Sequence, residues 1–116
     1  MKGRSEMLKM KKIDDFCIIL TTYADVNEAN IIIDKLLNEK LAACIQTINI
    51  GSHYSWNNQI CHDKEILLLI KTSWEKYDQV KNTIKSCHSY EVPEIIAVNI
   101  EEGYKPYLDW IQKMTQ

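Results

Sequence analysis

Two long stretches of strand character, Ala42–Trp56 and the run from Ile60 through Thr72, are separated only by the turn signal Asn57-Asn58. Segments of this kind, joined so tightly, pair as antiparallel neighbours. Each exceeds the usual strand length of roughly five or six residues, so the hairpin forms an arm longer than one small sheet needs. In the first stretch, alternation around Ile45 and Thr47 changes phase at Gln46–Ile48, after which Ile48 and Ile50 carry it on towards Gly51. That change predicts a bulge or bend. Glu65–Thr72 is almost unbroken apolar sequence and marks a central strand. An uncovered arm leaves an open edge prone to aggregation, and a neighbouring subunit is its natural cover.

The flanking sequence supplies the rest of a sheet and its helices. Phe16–Thr22 is a short, β-branched strand. Asp25 with Glu28 makes a capping-box-like start, and Val26, Ala29, Ile32, Ile33, Leu36 and Leu37 recur at helical spacing, so a helix runs from Val26 to Lys40. Thr72 with Glu75 repeats the capping pattern before a second helix that carries Trp74, Tyr77, Val80, Lys81 and Ile84 to about Ser86. Glu94–Ile100 is the last strand. The loop Glu101–Pro106 leads into a closing helix whose inner face is Tyr107, Leu108, Ile111 and Met114. Strand, helix, strand, strand, helix, strand, with an added helix, is the order of an α+β ferredoxin-like split β-α-β sandwich, its helices on one face of an antiparallel sheet.

Charge divides the chain in two. Residues 1–12 hold five Lys or Arg against Glu6 and read as a disordered basic tail, leaving 13–116 as a single domain. The rest holds nine basic and fifteen acidic side chains. An acidic body excludes nucleic acid as the main partner, because neutralising phosphates needs a basic face. No apolar signal-peptide core opens the chain and no run is long enough to span a membrane, so a cytoplasmic protein is expected. Cys17, Cys44, Cys61 and Cys87 contain no Cys-x-x-Cys pair and are expected as reduced thiols.

Candidate chemistry concentrates in Cys87–Ile100, where a thiol, an imidazole, an aromatic ring and two carboxylates precede a strand. Pro93 pushes Val92 out of the helical region, so Tyr90–Pro93 should be extended. Adjacent residues of extended chain point to opposite sides. Neither Cys87-His88 nor Cys61-His62 therefore makes a nucleophile–base pair, and no enzyme is expected. With only three glycines there is no phosphate loop. Cys87, His88 and Glu94 offer donors that suit copper or zinc, without zinc-finger spacing. The plainer alternative makes Cys87 part of the helix's apolar stripe and His88 a loop residue. Tyr54, Trp56, Tyr90, Tyr107 and Trp110 either line a pocket or belong to core and interface.

Five stretches, read together, resemble one family. They are Leu20-Thr21-Thr22, Glu39–Ile45, Glu65–Thr72, His88–Ile95 and Tyr107–Ile111, in order across roughly residues 15–113. They resemble the CutA, or divalent-cation tolerance, family. The resemblance implies a homotrimer of ferredoxin-like subunits, similar in architecture to the PII signalling proteins, with a non-catalytic role in divalent-metal and especially copper binding. By position it implies copper ligands at Thr21, Cys87 and Glu94, with His88 alongside. Thr21 stands where some bacterial members carry cysteine, and Cys87 where they carry histidine. Ser89 replaces a usual proline, which loosens the segment before Tyr90.

Three expectations follow. One is a trimeric copper or divalent-cation binder using Cys87, His88, Glu94 and Thr21. Another is a PII-like module holding a small anionic metabolite in an inter-subunit cleft, through Lys71 with Tyr54, Trp56, Tyr90 and Tyr107, with Glu65 in the same cleft. The last is a purely structural trimer with Glu65 and Lys71 as interface ion-pair members.

Overall fold

The computed structural model describes residues 15–116; the basic tail of residues 1–12 lies outside them. The described residues form β1 (Phe16–Tyr23), α1 (Val26–Asn38), β2 (Cys44–Trp56), β3 (Gln59–Ser73), a 3-10 turn at Trp74–Lys76, α2 (Tyr77–Cys87), β4 (Ile96–Asn99) and α3 (Lys105–Met114). The strands are ordered β2-β3-β1-β4, every neighbour antiparallel. This is the ferredoxin-like order expected from the sequence.

Side-chain alternation divides the sheet into two faces. Cys17, Ile19 and Tyr23 of β1 point with Leu68 and Ile70 of β3 towards α1 and α2, which supply Ala29, Ile32, Leu36, Val80 and Ile84. The helices bury these residues because they fall three or four apart on one stripe. Val26 and Leu37, expected on that stripe, stay exposed. On the opposite face lie Ile18, Leu20, Leu67 and Leu69, half-buried, with Ile48, Ile96 and Val98 about half exposed. Lys71 shares this second face, and its ammonium sits 5.5 Å from the centre of the Tyr107 ring. The added helix α3 therefore runs beside β3 on the side away from α1 and α2. Tyr107 is partly exposed there, whereas Ile111 is fully buried.

The arm is more regular than its sequence suggests. Pairing runs without interruption from Cys44↔Lys71 to Trp56↔Gln59, so the expected bulge is absent. The change of phase in β2 records a change of surroundings instead. Near the sheet's base one face is covered by helices, whereas further out both faces are open and the apolar alternation no longer marks an inside. Asn57 and Asn58 both take positive φ, 52° and 61°. A two-residue turn matched to strand twist requires this, and asparagine tolerates it.

Helix ends also differ from the sequence reading. α1 stops at Asn38 rather than Lys40, because Lys40 turns left-handed at φ 58°. Its N–H reaches Leu37 O at 3.1 Å while that of Leu41 reaches Leu36 O at 2.9 Å, the paired bonds of a Schellman close. At the other end Asp25 caps Asn27 N at 2.8 Å, but Glu28 does not complete a capping box. Thr72 does not cap α2. It remains in β3 and donates its buried hydroxyl to Leu41 O at 2.7 Å.

Candidate functional site

The residues after α2 are fixed by one imidazole and one carboxylate. The His88 side chain is fully buried and stacks on Tyr23 at 4.2 Å between ring centres. Its Nδ1 accepts the Tyr90 N–H at 3.0 Å, so Nε2 holds the proton and donates to Thr22 O at 2.7 Å. Glu28 Oε1 lies 3.8 Å from Nδ1, but that nitrogen presents a lone pair, so the contact is not an ion pair. Instead the Glu28 carboxylate accepts from Ser89 N at 2.8 Å and from Ser89 Oγ at 2.9 Å. A proline at position 89 could offer neither bond. Ser89 therefore anchors the segment that it was expected to loosen.

These bonds fold the backbone back on itself. The chain bends through Ser89–Val92, where an extended course was expected, and straightens only from Pro93. The bend swings Tyr90 across to the arm, where its hydroxyl donates to Glu65 Oε2 at 2.6 Å. Burial raises the phenol's pKa above the ordinary tyrosine value, and the hydrogen bond to Glu65 raises it further. On the arm itself, Tyr54 donates to Asp63, which pushes its pKa up to about 12. A raised phenol pKa means the folded state holds that proton more tightly. The linked stability is complete below about pH 10 and is lost as pH rises past that value. In a spectrophotometric titration, Tyr90→Phe should remove one of the late-ionising phenols. An unchanged late fraction would show that Tyr90 titrates with the ordinary group.

Between the arm and the bent segment opens a cleft of about 740 Å³. Its walls carry Tyr54, Trp56, Glu65, Tyr90, Glu91 and Glu94 among others, and, among the described residues, no Lys or Arg. Four residues expected in an inter-subunit cleft, Tyr54, Trp56, Glu65 and Tyr90, thus meet within one chain. Lys71 and Tyr107 do not join them. Lys71 is six residues along β3 from Glu65, roughly 20 Å at strand rise, and is engaged with Tyr107. Glu65 and Lys71 are accordingly not partners within the chain.

The expected metal ligands are not gathered. Thr21 is fully buried opposite Leu68, its Oγ1 without a hydrogen-bond partner among the described residues. Cys87 is exposed at the end of α2, with Sγ 3.4 Å from Ser86 Oγ. Both nitrogens of His88 are occupied, and only Glu94 reaches the cleft. Among the described residues no three His, Cys, Asp or Glu side chains converge on one point. Their separation within the chain has a physical cause. Cys87 still belongs to a helix whereas His88 has left it, so the two side chains diverge, one outward and one inward. Sequence reading missed Glu28, whose spacing from Asp25 looked like a cap. It also missed Glu91, which was indistinguishable from a solvated carboxylate.

No helix among the described residues is long and apolar enough to cross a membrane. The family model for the CutA1 divalent ion tolerance protein matches residues 17–114. The divalent-cation tolerance protein CutA of Thermus thermophilus is 37% identical over 99 residues, covering 84% of this chain and 96% of the relative. Human Protein CutA is 38% identical over 82 residues, covering 70% of this chain but only 46% of the human protein. In three dimensions, a structure described as the periplasmic divalent cation tolerance protein CutA from Archaeoglobus fulgidus superposes with a TM-score of 0.85. It is 37% identical, with 87% of this chain and 99% of that one covered. On sequence and on fold alike, the chain belongs to the CutA1 divalent ion tolerance protein family.

Proposed function

We propose that this protein is a non-catalytic, self-associating binder of divalent cations, with the cleft between arm and bent segment as the place where ions collect. The observation that carries the reading is the cleft's charge: Glu65, Glu91 and Glu94 line it, unopposed by any lining Lys or Arg among the described residues. Such a concavity concentrates cations and repels an anionic metabolite. Because no three donors are preassembled, an ion held by one chain keeps much of its water, as hard divalent ions readily do. The relatives' names, which speak of divalent-cation tolerance, agree with this reading.

Copper is the finer form of the proposal. Cys87 and Glu94 are exposed and free to offer a soft and a hard donor. Thr21 and His88 could join only by leaving buried positions, and for His88 that costs two hydrogen bonds, about 1–3 kcal/mol together. The absence of catalysis is supported by the same geometry, since Cys87 and His88 point apart. All four cysteines are unpaired, which fits a reducing cytoplasm.

Self-association, as a trimer, is supported by the second sheet face. Ile48, Ile96 and Val98 are each about half exposed there, beside half-buried Ile18, Leu20, Leu67 and Leu69. A contiguous apolar face of this kind marks an interaction surface. The test of the cation reading is titration of Mn²⁺ into the wild type and into a Glu65→Gln/Glu94→Gln variant, with binding weakened in the variant.

A further inference from the structure

The chain has three histidines, and two of them face each other across the arm. His53 of β2 is paired directly with His62 of β3, each four residues from the Asn57-Asn58 turn. Both side chains are exposed, their rings are inclined at 64°, and their Nδ1 atoms stand 2.7 Å apart. Two ring nitrogens approach so closely only when one is a donor and the other an acceptor. We infer that this cross-strand pair is a second cation site, an imidazole chelate for a borderline transition metal such as Ni²⁺, Zn²⁺ or Cu²⁺.

Geometry supports the assignment. Two nitrogens bound side by side to one metal, each at about 2.0–2.1 Å, stand roughly 3 Å apart. Closing a metal between the rings therefore needs a few tenths of an ångström of spreading and a turn of each exposed ring, so that the two lone pairs converge on one point. No proton need leave the protein. The donor ring passes its proton from Nδ1 to Nε2 through solvent, and both Nδ1 lone pairs then face the metal. The unbroken ladder and the tight turn hold the two Cα positions fixed, so little ordering cost remains.

The surroundings determine which ions qualify. Alternation places Gly51, Ser55, Ile60 and Lys64 beside the pair on the same face of the arm. Lys64 opposes any ion held by charge alone, and among the described residues no carboxylate neighbours the pair on that face. Tyr54 and Asp63 bond each other on the other face. Ions that bind imidazole strongly should therefore be taken, following Mn²⁺ < Ni²⁺ < Cu²⁺, while Mg²⁺ and Ca²⁺ are refused. The remaining coordination positions fall to water. The site does not depend on the carboxylate cleft, although His53 also borders it.

The experiment uses the full, tag-free, reduced chain, with Zn²⁺ as probe and the imidazole Cε1–H resonances as readout. Zn²⁺ should shift the His53 and His62 signals together and leave that of His88 in place. His53→Gln should abolish the shift at His62 and weaken Ni²⁺ binding by roughly 10²-fold, the loss of an intramolecular second donor. His62→Gln, read at His53, guards against failure of one variant. Glu65→Gln/Glu94→Gln should leave the Zn²⁺ shifts unchanged, which separates this site from the cleft. Independent responses of His53 and His62, no response of either, or undiminished Ni²⁺ affinity in both single variants would overturn the assignment.

Discussion

Ile19→Ala will cost about 2–5 kcal/mol of stability, the range for removing a large apolar side chain from a packed core. Ile19 is fully buried at the middle of β1. It is paired with Ile70 of β3 on one side and Ala97 of β4 on the other, so its side chain lies on the central strand between β3 and β4, under the helices. Backbone bonding on both flanks leaves the site little freedom to collapse into the space created. Against a typical total of 5–15 kcal/mol, the loss threatens the fold itself. Chemical denaturation measures it, with Ile31→Ala on the outer surface of α1 as control. Ile31 is 66% exposed, and its replacement should change stability by less than about 0.5 kcal/mol. Equal effects of the two changes would mean that the core does not lie between the sheet and α1 with α2.

The second large effect concerns assembly. Leu20 is the neighbour of Ile19 but points to the other face, between Leu69 and Ile96. If that face is where copies of the chain meet, Leu20→Glu places an unpaired carboxylate in an apolar contact and should dissociate the assembly to monomers. Burying such a charge without a partner costs several kcal/mol, more than one subunit contact is expected to spare. Within an isolated chain the residue is only half-buried, so the monomer should retain its helices and sheet. Sedimentation or light scattering reads the mass, and circular dichroism reads the fold. An unchanged mass would place the interface elsewhere.

How much of this could be read from the sequence depends on what each signal reports. Periodicity reports burial, so it placed β1, α1, the arm and α2 and gave their order. It failed where burial and conformation part company. The phase change in β2 looked like a bulge and is regular pairing. Val26 and Leu37 fitted a stripe that the sheet does not cover. Capping patterns were ambiguous for a related reason. Asp25 with Glu28 has the spacing of a box, yet Glu28 is taken by Ser89, 61 residues away in sequence. Such long-range claims leave no mark in local spacing.

For the candidate site, the sequence pointed to this segment but not to the contacts that shape it. Ser89–Val92 and Glu94 do border the cleft, yet the imidazole expected to ligate a metal is what holds the segment in shape. The His53–His62 pair was legible in principle. Once Asn57-Asn58 is accepted as a two-residue turn, residues equidistant from it must face each other.

The reading of the cleft stands on its charge, and titration of Mn²⁺ into reduced, tag-free protein tests it most directly. A hard ion is the right probe because the His53–His62 pair should largely ignore it. The wild type should bind Mn²⁺ saturably. A divalent ion about 6 Å from a carboxylate in water-like surroundings gains about 1.4 kcal/mol, or tenfold in affinity, from each such charge. Glu65→Gln/Glu94→Gln, which keeps an acceptor for Tyr90, should therefore weaken binding by roughly one hundredfold while leaving the fold intact. Equal affinity in the two proteins, or no saturable binding by either, would contradict the assignment of cation binding to this cleft.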